Sequence, residues 1–158
     1  LIYDESPERI GLWGFPNRNR KLKEINSDYV AFQSGDNYVI PKAYEFLMNA
    51  AEKESLDLVY CDLLHNYPNI NSYNLDGTID KSKFSPPYTL LESELALNKI
   101  DISNYIVKTK LAQAVGGFRT NLPERLQPGA DGIFIHDLIH KQQMKVGKLK
   151  SQVLFCHN

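Results

Sequence analysis

Phe32-Gln33-Ser34-Gly35-Asp36-Asn37-Tyr38-Val39-Ile40-Pro41 is the stretch on which the reading of this chain turns. The apolar run Tyr29–Phe32 leads into it with the dense large side chains of a strand. Pro41 closes it and suits a first helical position, where a missing N–H costs nothing. Asp36 is thereby placed at the C-terminal edge of a strand, the edge where open α/β sheets bind ligands. A hard divalent cation, Mg2+ or Mn2+, takes oxygen ligands and often uses only one or two protein carboxylates, leaving room for phosphate and water. Ser34 lies two residues earlier, on the same side if the strand period persists, and suits a hydrogen bond to a sugar hydroxyl. A plain Asp-Asn turn ahead of the proline is the competing reading.

Bulk composition narrows the classes. The 158 residues make one domain with one core. A hydrophobic content of 42% with 23% charged residues fits a globular chain and argues against disorder. The net charge of −1 supplies no field for a nucleic-acid backbone, so no nucleic-acid partner is expected. No apolar run is long enough to span a bilayer. Cys61 and Cys156 are too few and too far apart for a metal knuckle or a disulfide scaffold, and each sits in an apolar run as a small hydrophobe. A reducing, cytoplasmic setting follows as the expectation. Lys141, Lys145, Lys148 and Lys150 form a modest basic face, read as solvated.

Along the chain, Leu1–Tyr3 reads as a strand end followed by the turn Asp4-Glu5-Ser6-Pro7. Residues Asn17–Asn26 carry a thin apolar stripe of Leu22 and Ile25, a weak amphipathic helix. Because Tyr29–Phe32 is continuously apolar, it is expected to be covered on both faces, as in a parallel sheet. Ala43, Phe46, Leu47 and Ala50 recur at helical spacing after Pro41. Leu56–Cys61 predicts a strand with Asp62 at its exit. Residues 66–87 are polar and irregular, with a turn signal at Asp76-Gly77. Ile100–Val107 predicts a strand and Lys108–Ala114 a short helix, ended by glycines in Val115-Gly116-Gly117-Phe118. Pro123–Pro128 reads as loop, Ala130–Val146 as a helix broken by Gly147, and Leu149–Phe155 as a last strand. Short strands alternating with helices predict an α/β class with a mainly parallel sheet, mixed in direction around residues 72–107.

Familiar signatures are missing: no Gly-rich dinucleotide fingerprint, phosphate loop, nucleophile elbow or His-Glu-x-x-His helix occurs. Asp131 follows Pro128-Gly129-Ala130 and either caps the next helix or faces a cleft as a general base. Arg18 and Arg20 suit a diphosphate through charge-assisted hydrogen bonds, or simply face water. His136 and His140 share a helix face, compatible with metal ligation but read first as a polar face. His157, just past the last strand, is a weaker metal candidate.

Taken together, Asn17-Arg18-Asn19, Ser27-Asp28-Tyr29-Val30-Ala31-Phe32, Ser34-Gly35-Asp36-Asn37 with Pro41, Leu58–Asp62, Ile102–Phe118 and Ala130-Asp131 resemble, in order and spacing, the family-2 glycosyltransferases of the GT-A fold. The likeness covers nearly the whole chain. It implies a GT-A-like mixed, mainly parallel sheet flanked by helices, N-terminally truncated, since the family's first strand and helix have no counterpart ahead of Leu1. It implies a single domain over residues 1–158, as a fragment of a longer one, with a longer parent or a homodimer covering the bared edge. The activity implied is inverting transfer of a sugar from a nucleoside diphosphate sugar donor to a hydroxyl acceptor. Asp36 would be the ligand of Mn2+ or Mg2+, joined by His157. Asp131 would be the base. Asp4, Arg18 and Ser34 would bind the donor, Asp4 at its uracil-like ring. Two positions depart from the pattern: Ser34 replaces the first acid of the metal motif, and Ala130 replaces the Glu beside the base. These departures keep open a non-catalytic nucleotide-sugar-binding domain. A flavodoxin-like or response-regulator-like domain, with Asp4, Asp36 and Asp62 around one cation, is the third reading.

Overall fold

The computed structural model describes residues 11–35, 37–65, 89–97 and 99–157, with only the backbone considered at His65, Thr89, Ser151, Cys156 and His157. The strand at Leu1–Tyr3, Asp4, Asp36 and the turn at Asp76-Gly77 lie outside the described residues. Four helices and six strands follow in the order α1 (Phe15–Glu24), β1 (Tyr29–Ala31), β2 (Tyr38–Val39), α2 (Ala43–Glu54), β3 (Leu58–His65), β4 (Thr89–Leu91), β5 (Tyr105–Lys108), α3 (Thr109–Ala114), α4 (Ala130–Lys141) and β6 (Val146–His157).

One sheet joins the strands in the order β1-β5-β3-β6-β2, with β4 beside the second half of β3. Direction departs from the expectation. Only β3 and β6 run parallel; β1–β5, β3–β5, β3–β4 and β2–β6 are antiparallel. The sheet is therefore mixed and mostly antiparallel, not mainly parallel. Alternation of helices with strands fails as a guide here because strands joined by a helix are not neighbours: α2 leads from β2 to β3, yet β6 lies between them. The chain between β3 and β6 supplies the long crossover that a parallel pair requires. This antiparallel character also removes the flavodoxin-like reading, which needs a parallel sheet.

Two layers cover the sheet. One packs α1, α3 and α4 through Leu22, Ala112, Phe134, Ile135 and Leu138 onto Val30, Phe32, Leu58, Tyr105 and Val107. The other packs α2, through Ala43, Leu47 and Ala51 at four-residue spacing, onto Val59, Cys61, Leu63, Ile106 and Leu154. Cys61 is a buried free thiol within this second layer, as its apolar run predicts.

Several local expectations shift. Val30 and Phe32 are buried while Ala31 is exposed, so β1 alternates. It lies at the edge of the sheet among the described residues, rather than inside it. Pro41 precedes α2 without entering it: Lys42 is the N-cap, in the left-handed region at φ 68°. Asp62 is not at a strand exit but inside β3, where the register with β6 breaks. There it pairs with Lys148 at 2.7 Å and accepts the Ser93 N–H at 2.8 Å. Only Tyr105–Lys108 of the Ile100–Val107 run is strand. Residues Glu124–Gly129 form a 3-10 helix where a loop was expected, and α4 ends at Lys141, short of Val146. Gly147 belongs to β6, and a Cβ there would lie 2.4 Å from Leu56 Cδ1.

Gly116 and Gly117 do take left-handed backbone, φ 85° and 77°. At Gly117 the need is also spatial. A Cβ would meet Asn19 Oδ1 at 2.3 Å, and Asn19 is the clamp of this turn. Its side chain accepts from Phe118 N–H at 2.8 Å and donates to the Phe118 carbonyl at 2.7 Å. The turn is thus tied to α1, and Phe118 stacks on Phe15 with centroids 4.8 Å apart.

Candidate functional site

β1 ends at Ala31 and β5, its antiparallel neighbour, begins at Tyr105, so the segments after β1 and before β5 meet at one end of the sheet. The loop Gln33–Asn37 and the turn Asp101–Asn104 sit there, joined by a hydrogen bond from Asn37 Nδ2 to Ser103 Oγ. Ser103 N–H in turn donates to Asp101 Oδ1 at 2.9 Å. Buried Asn104 fixes the turn from below: its amide donates to the Cys61 carbonyl and to Ser93 Oγ, each at 2.7 Å. A third element arrives with the N-terminus of α4. Its N-cap is Gly129, and the helix start has no side-chain cap. Asp131 is therefore not the N-cap itself, although its carboxylate accepts the first-turn Gly132 N–H.

These three elements, with the turn ahead of α1, enclose a cavity of about 210 Å3. Arg18, Ser34 and Asp131, three of the residues singled out in the sequence, all line it. Arg18 is held by backbone oxygens: its guanidinium donates to the Trp13 carbonyl and to the Gln33 carbonyl, the latter at 3.4 Å. It also lies over the Phe15 ring, 5.7 Å from the centroid. Ser34 is held by its own backbone, whose carbonyl accepts the Gln33 side-chain amide at 3.0 Å. Gln33 is in turn braced by the Tyr44 hydroxyl at 2.8 Å.

Asp131 carries the clearest electrostatic signal. Burial pushes its carboxyl up to about 6, the Asp101 charge adds to the rise, and the Gly132 N–H, donating at 2.7 Å, opposes it. Such a group is ionised at neutral pH yet basic enough to take a proton, as a general base requires. The fully buried Tyr105 phenol, within reach of the Asp131 charge, has no hydrogen-bond partner among the described residues. Burial, then the charges of Asp131 and Asp101, hold Tyr105 well above its ordinary ionisation range.

Asp101 and Trp13 line the same cavity and were missed in the sequence. Asp101-Ile102-Ser103-Asn104 does interrupt an apolar run with short polar residues, a turn signal that could have exposed the first. Gly11-Leu12-Trp13-Gly14, a tryptophan between glycines, could have exposed the second.

The other candidates distribute differently. Asp4 and Asp36 lie outside the described residues, as does the side chain of His157. The backbone pairs Tyr38 with Cys156, which brings Asn37 and the His157 backbone to the same end of the β2–β6 pair. His136 and His140 lie in tilted ring contact, centroids 4.1 Å apart, and both are exposed. Among the described residues no group of three or more His, Cys, Asp or Glu is placed to hold a metal ion. Lys141 and Lys148 pair with Asp137 and Asp62, as a solvated basic face would. No helix of the described residues is long and apolar enough to cross a membrane. A larger cavity, 570 Å3, opens at the other end of β1 between Asn26, Tyr29, Glu52 and Lys110, but gathers none of the candidate site residues.

Neither a protein-family model nor a curated protein sequence matches the chain. Solved structures do. Residues 1–349 of S. aureus TarS superimpose with a TM-score of 0.58 at 16% identity, covering 92% of this chain and 40% of that one. The same fragment crystallised in complex with UDP gives 0.58 at 15%, covering 90% and 39%. A longer TarS structure gives 0.58 at 18%, covering 90% and 24%. The fold therefore resembles that of TarS, a GT-A glycosyltransferase of family 2, and this chain spans less than half the length of the TarS chains.

Proposed function

We propose that this chain is the catalytic part of a glycosyltransferase that moves a sugar from a nucleoside diphosphate donor to a hydroxyl acceptor with inversion. One observation carries the reading: Asp131, Arg18 and Ser34, drawn from distant parts of the chain, line a single cavity in a GT-A-like fold. UDP in one TarS structure makes a uridine diphosphate sugar the first donor to try.

In this reading Asp131 accepts the proton of the acceptor hydroxyl as that oxygen bonds to the anomeric carbon. The bond from that carbon to the diphosphate breaks, and its electron pair leaves on the phosphate oxygen. Base assistance must accompany attack because an alcohol is far too weak an acid to ionise first. Arg18 supplies a positive charge for the diphosphate, its guanidinium positioned by the Trp13 and Gln33 carbonyls. Ser34 offers its hydroxyl to a sugar hydroxyl. Asp4 would meet the base of the donor.

For a cation, the donor set of Asp36 and His157 has the right chemistry, carboxylate oxygen and imidazole nitrogen, and the Tyr38–Cys156 pairing brings the flanking backbones together. Mn2+ or Mg2+ bound there would neutralise charge on the departing diphosphate.

Release of nucleoside diphosphate from UDP- and GDP-sugars, with and without acceptors, tests the reading. Asp131→Asn is expected to lower transfer by roughly 10²–10⁴-fold, the usual share of a general base. Transfer by D131N at the parental rate would remove the base assignment. For the cation, calorimetry of UDP with Mn2+ should show tight coupled binding that Asp36→Ala weakens; unchanged binding would remove Asp36 from the metal site. Ser34 and Ala130, standing where the resembled family carries acids, favour one second reading, a domain that binds a nucleotide sugar without turning it over. Nucleotide-dependent stabilisation with no diphosphate release would select it.

A further inference from the structure

The only tryptophan of the chain has 68% of its surface exposed, on a backbone that is costly to hold. Gly11, Leu12, Trp13 and Gly14 take four successive positive φ angles of 68°, 51°, 54° and 74°. Residues with a Cβ rarely enter that region, and strain of this kind collects at ligand sites. The turn is closed by the Gly14 N–H donating to the Gly11 carbonyl at 3.0 Å and by the Arg18 guanidinium on the Trp13 carbonyl. A large apolar ring is thus displayed to solvent by a strained turn that the protein clamps from two sides.

Trp13 lines the cavity that holds Asp131. Phe15, Ile102 and Pro128 add apolar wall, while Asp101 and Asp131 bring hydrogen-bond acceptors. At about 210 Å3 the space is smaller than the clefts of roughly 300–1,000 Å3 that take drug-sized ligands. It suits one ring. A pyranose matches this lining, with a C–H face for the indole and hydroxyls for the carboxylates. We infer that Trp13 is the platform on which the ring of an acceptor sugar lies, delivering one hydroxyl to Asp131. The acceptor fits better than the donor sugar because the base acts on the acceptor's hydroxyl and the indole is the solvent-facing wall. Arg18 and Ser34 are left for the donor. This assignment rests on the transfer reading above.

Because Trp13 is the only tryptophan, its fluorescence reports on the platform whether or not turnover occurs. Titration with methyl glucopyranosides and cellobiose should quench or blue-shift emission in a saturable way. Sorbitol, which has no ring face, and UDP alone should leave it unchanged. In the transfer assay Trp13→Ala should raise acceptor KM about tenfold, the loss of roughly one aromatic contact, and well beyond any change in donor KM. Trp13→Phe, keeping a ring, should restore most of the affinity. Unchanged acceptor KM in W13A, a change confined to donor KM, or no saturable response to any pyranoside would overturn the platform. Absence of diphosphate release from every donor would instead strike the transfer reading, leaving the fluorescence titration to decide the platform.

Discussion

The two faces of the sheet are built on opposite terms. The layer under α2 is largely aliphatic: Leu47, Leu63 and Leu154 are fully buried. The layer under α1, α3 and α4 is aromatic, with Phe15, Phe32, Phe118 and Phe134 in mutual ring contact. It also carries what a fold optimised for stability would avoid. Asn17 Oδ1, Tyr105 Oη and Thr109 Oγ1, buried and without a hydrogen-bond partner among the described residues, lie on this side, as do the strained turn at Leu12-Trp13 and a carboxylate whose charge is disfavoured by burial. Buried polar groups without partners lower stability, and they persist where chemistry uses them. The α2 layer is thus plain packing, and the opposite layer holds the cavity and the candidate residues.

Asp131→Asn should break this contrast most. Besides its loss of transfer, it should change stability with pH in a defined direction. The folded carboxyl is raised to about 6 from its ordinary 3.8, so the charged form is penalised above pH 6, and nothing is penalised below about pH 4, where both states are protonated. D131N should therefore unfold at higher denaturant at pH 7, by roughly 3 kcal/mol at most, with the gain gone by pH 4. The kcat/KM of the parent should rise with pH through an acidic limb near 6 that this variant lacks. A flat profile would remove the link between burial and base strength.

Leu47→Ala tests the α2 layer. The side chain is fully buried, so about 3 kcal/mol of stability should be lost in denaturant unfolding, with acceptor and donor KM unchanged for the molecules that remain folded. A shift in KM would show the two layers to be coupled.

Gly117→Ala should follow closely. The left-handed backbone costs roughly 1–2 kcal/mol for alanine, and displacing Asn19 removes two hydrogen bonds of about 1 kcal/mol each, so about 3 kcal/mol is expected. Gly116→Ala shares the backbone penalty but meets nothing within 4 Å, so about 1 kcal/mol should suffice. Equal losses would mean that the Asn19 clamp contributes little.

The smallest effect belongs to Tyr105→Phe. Removing a buried hydroxyl without a partner among the described residues should leave thermal stability within about 1 kcal/mol of the parent or raise it. A larger loss would reveal a partner for the phenol.

Much of the site was legible in the sequence, for reasons that differ by residue. Asp131, Arg18 and Ser34 were singled out because residue order resembled a known pattern, and the structure brings these three to one cavity. Gly116-Gly117 was found because few other residues tolerate such backbone after a helix. Asp101 and Trp13 were missed because a turn residue and a loop tryptophan declare themselves only when other segments close around them. Strand direction was misread because it depends on which strands become neighbours, and β5 reaches β1 and β3 by antiparallel returns that leave no periodic mark.

The sequence by itself determined the chemical inventory: one base candidate, one fixed cation, the apolar spacing of α2 and the glycines that turn the chain after α3. Only the tertiary structure decided that residues 13, 18, 34, 101 and 131 face one cavity, and that burial raises the Asp131 carboxyl. The reason is physical. Helical spacing and backbone freedom are set by neighbours in the chain, whereas desolvation and convergence are set by whatever folds over a residue from far away.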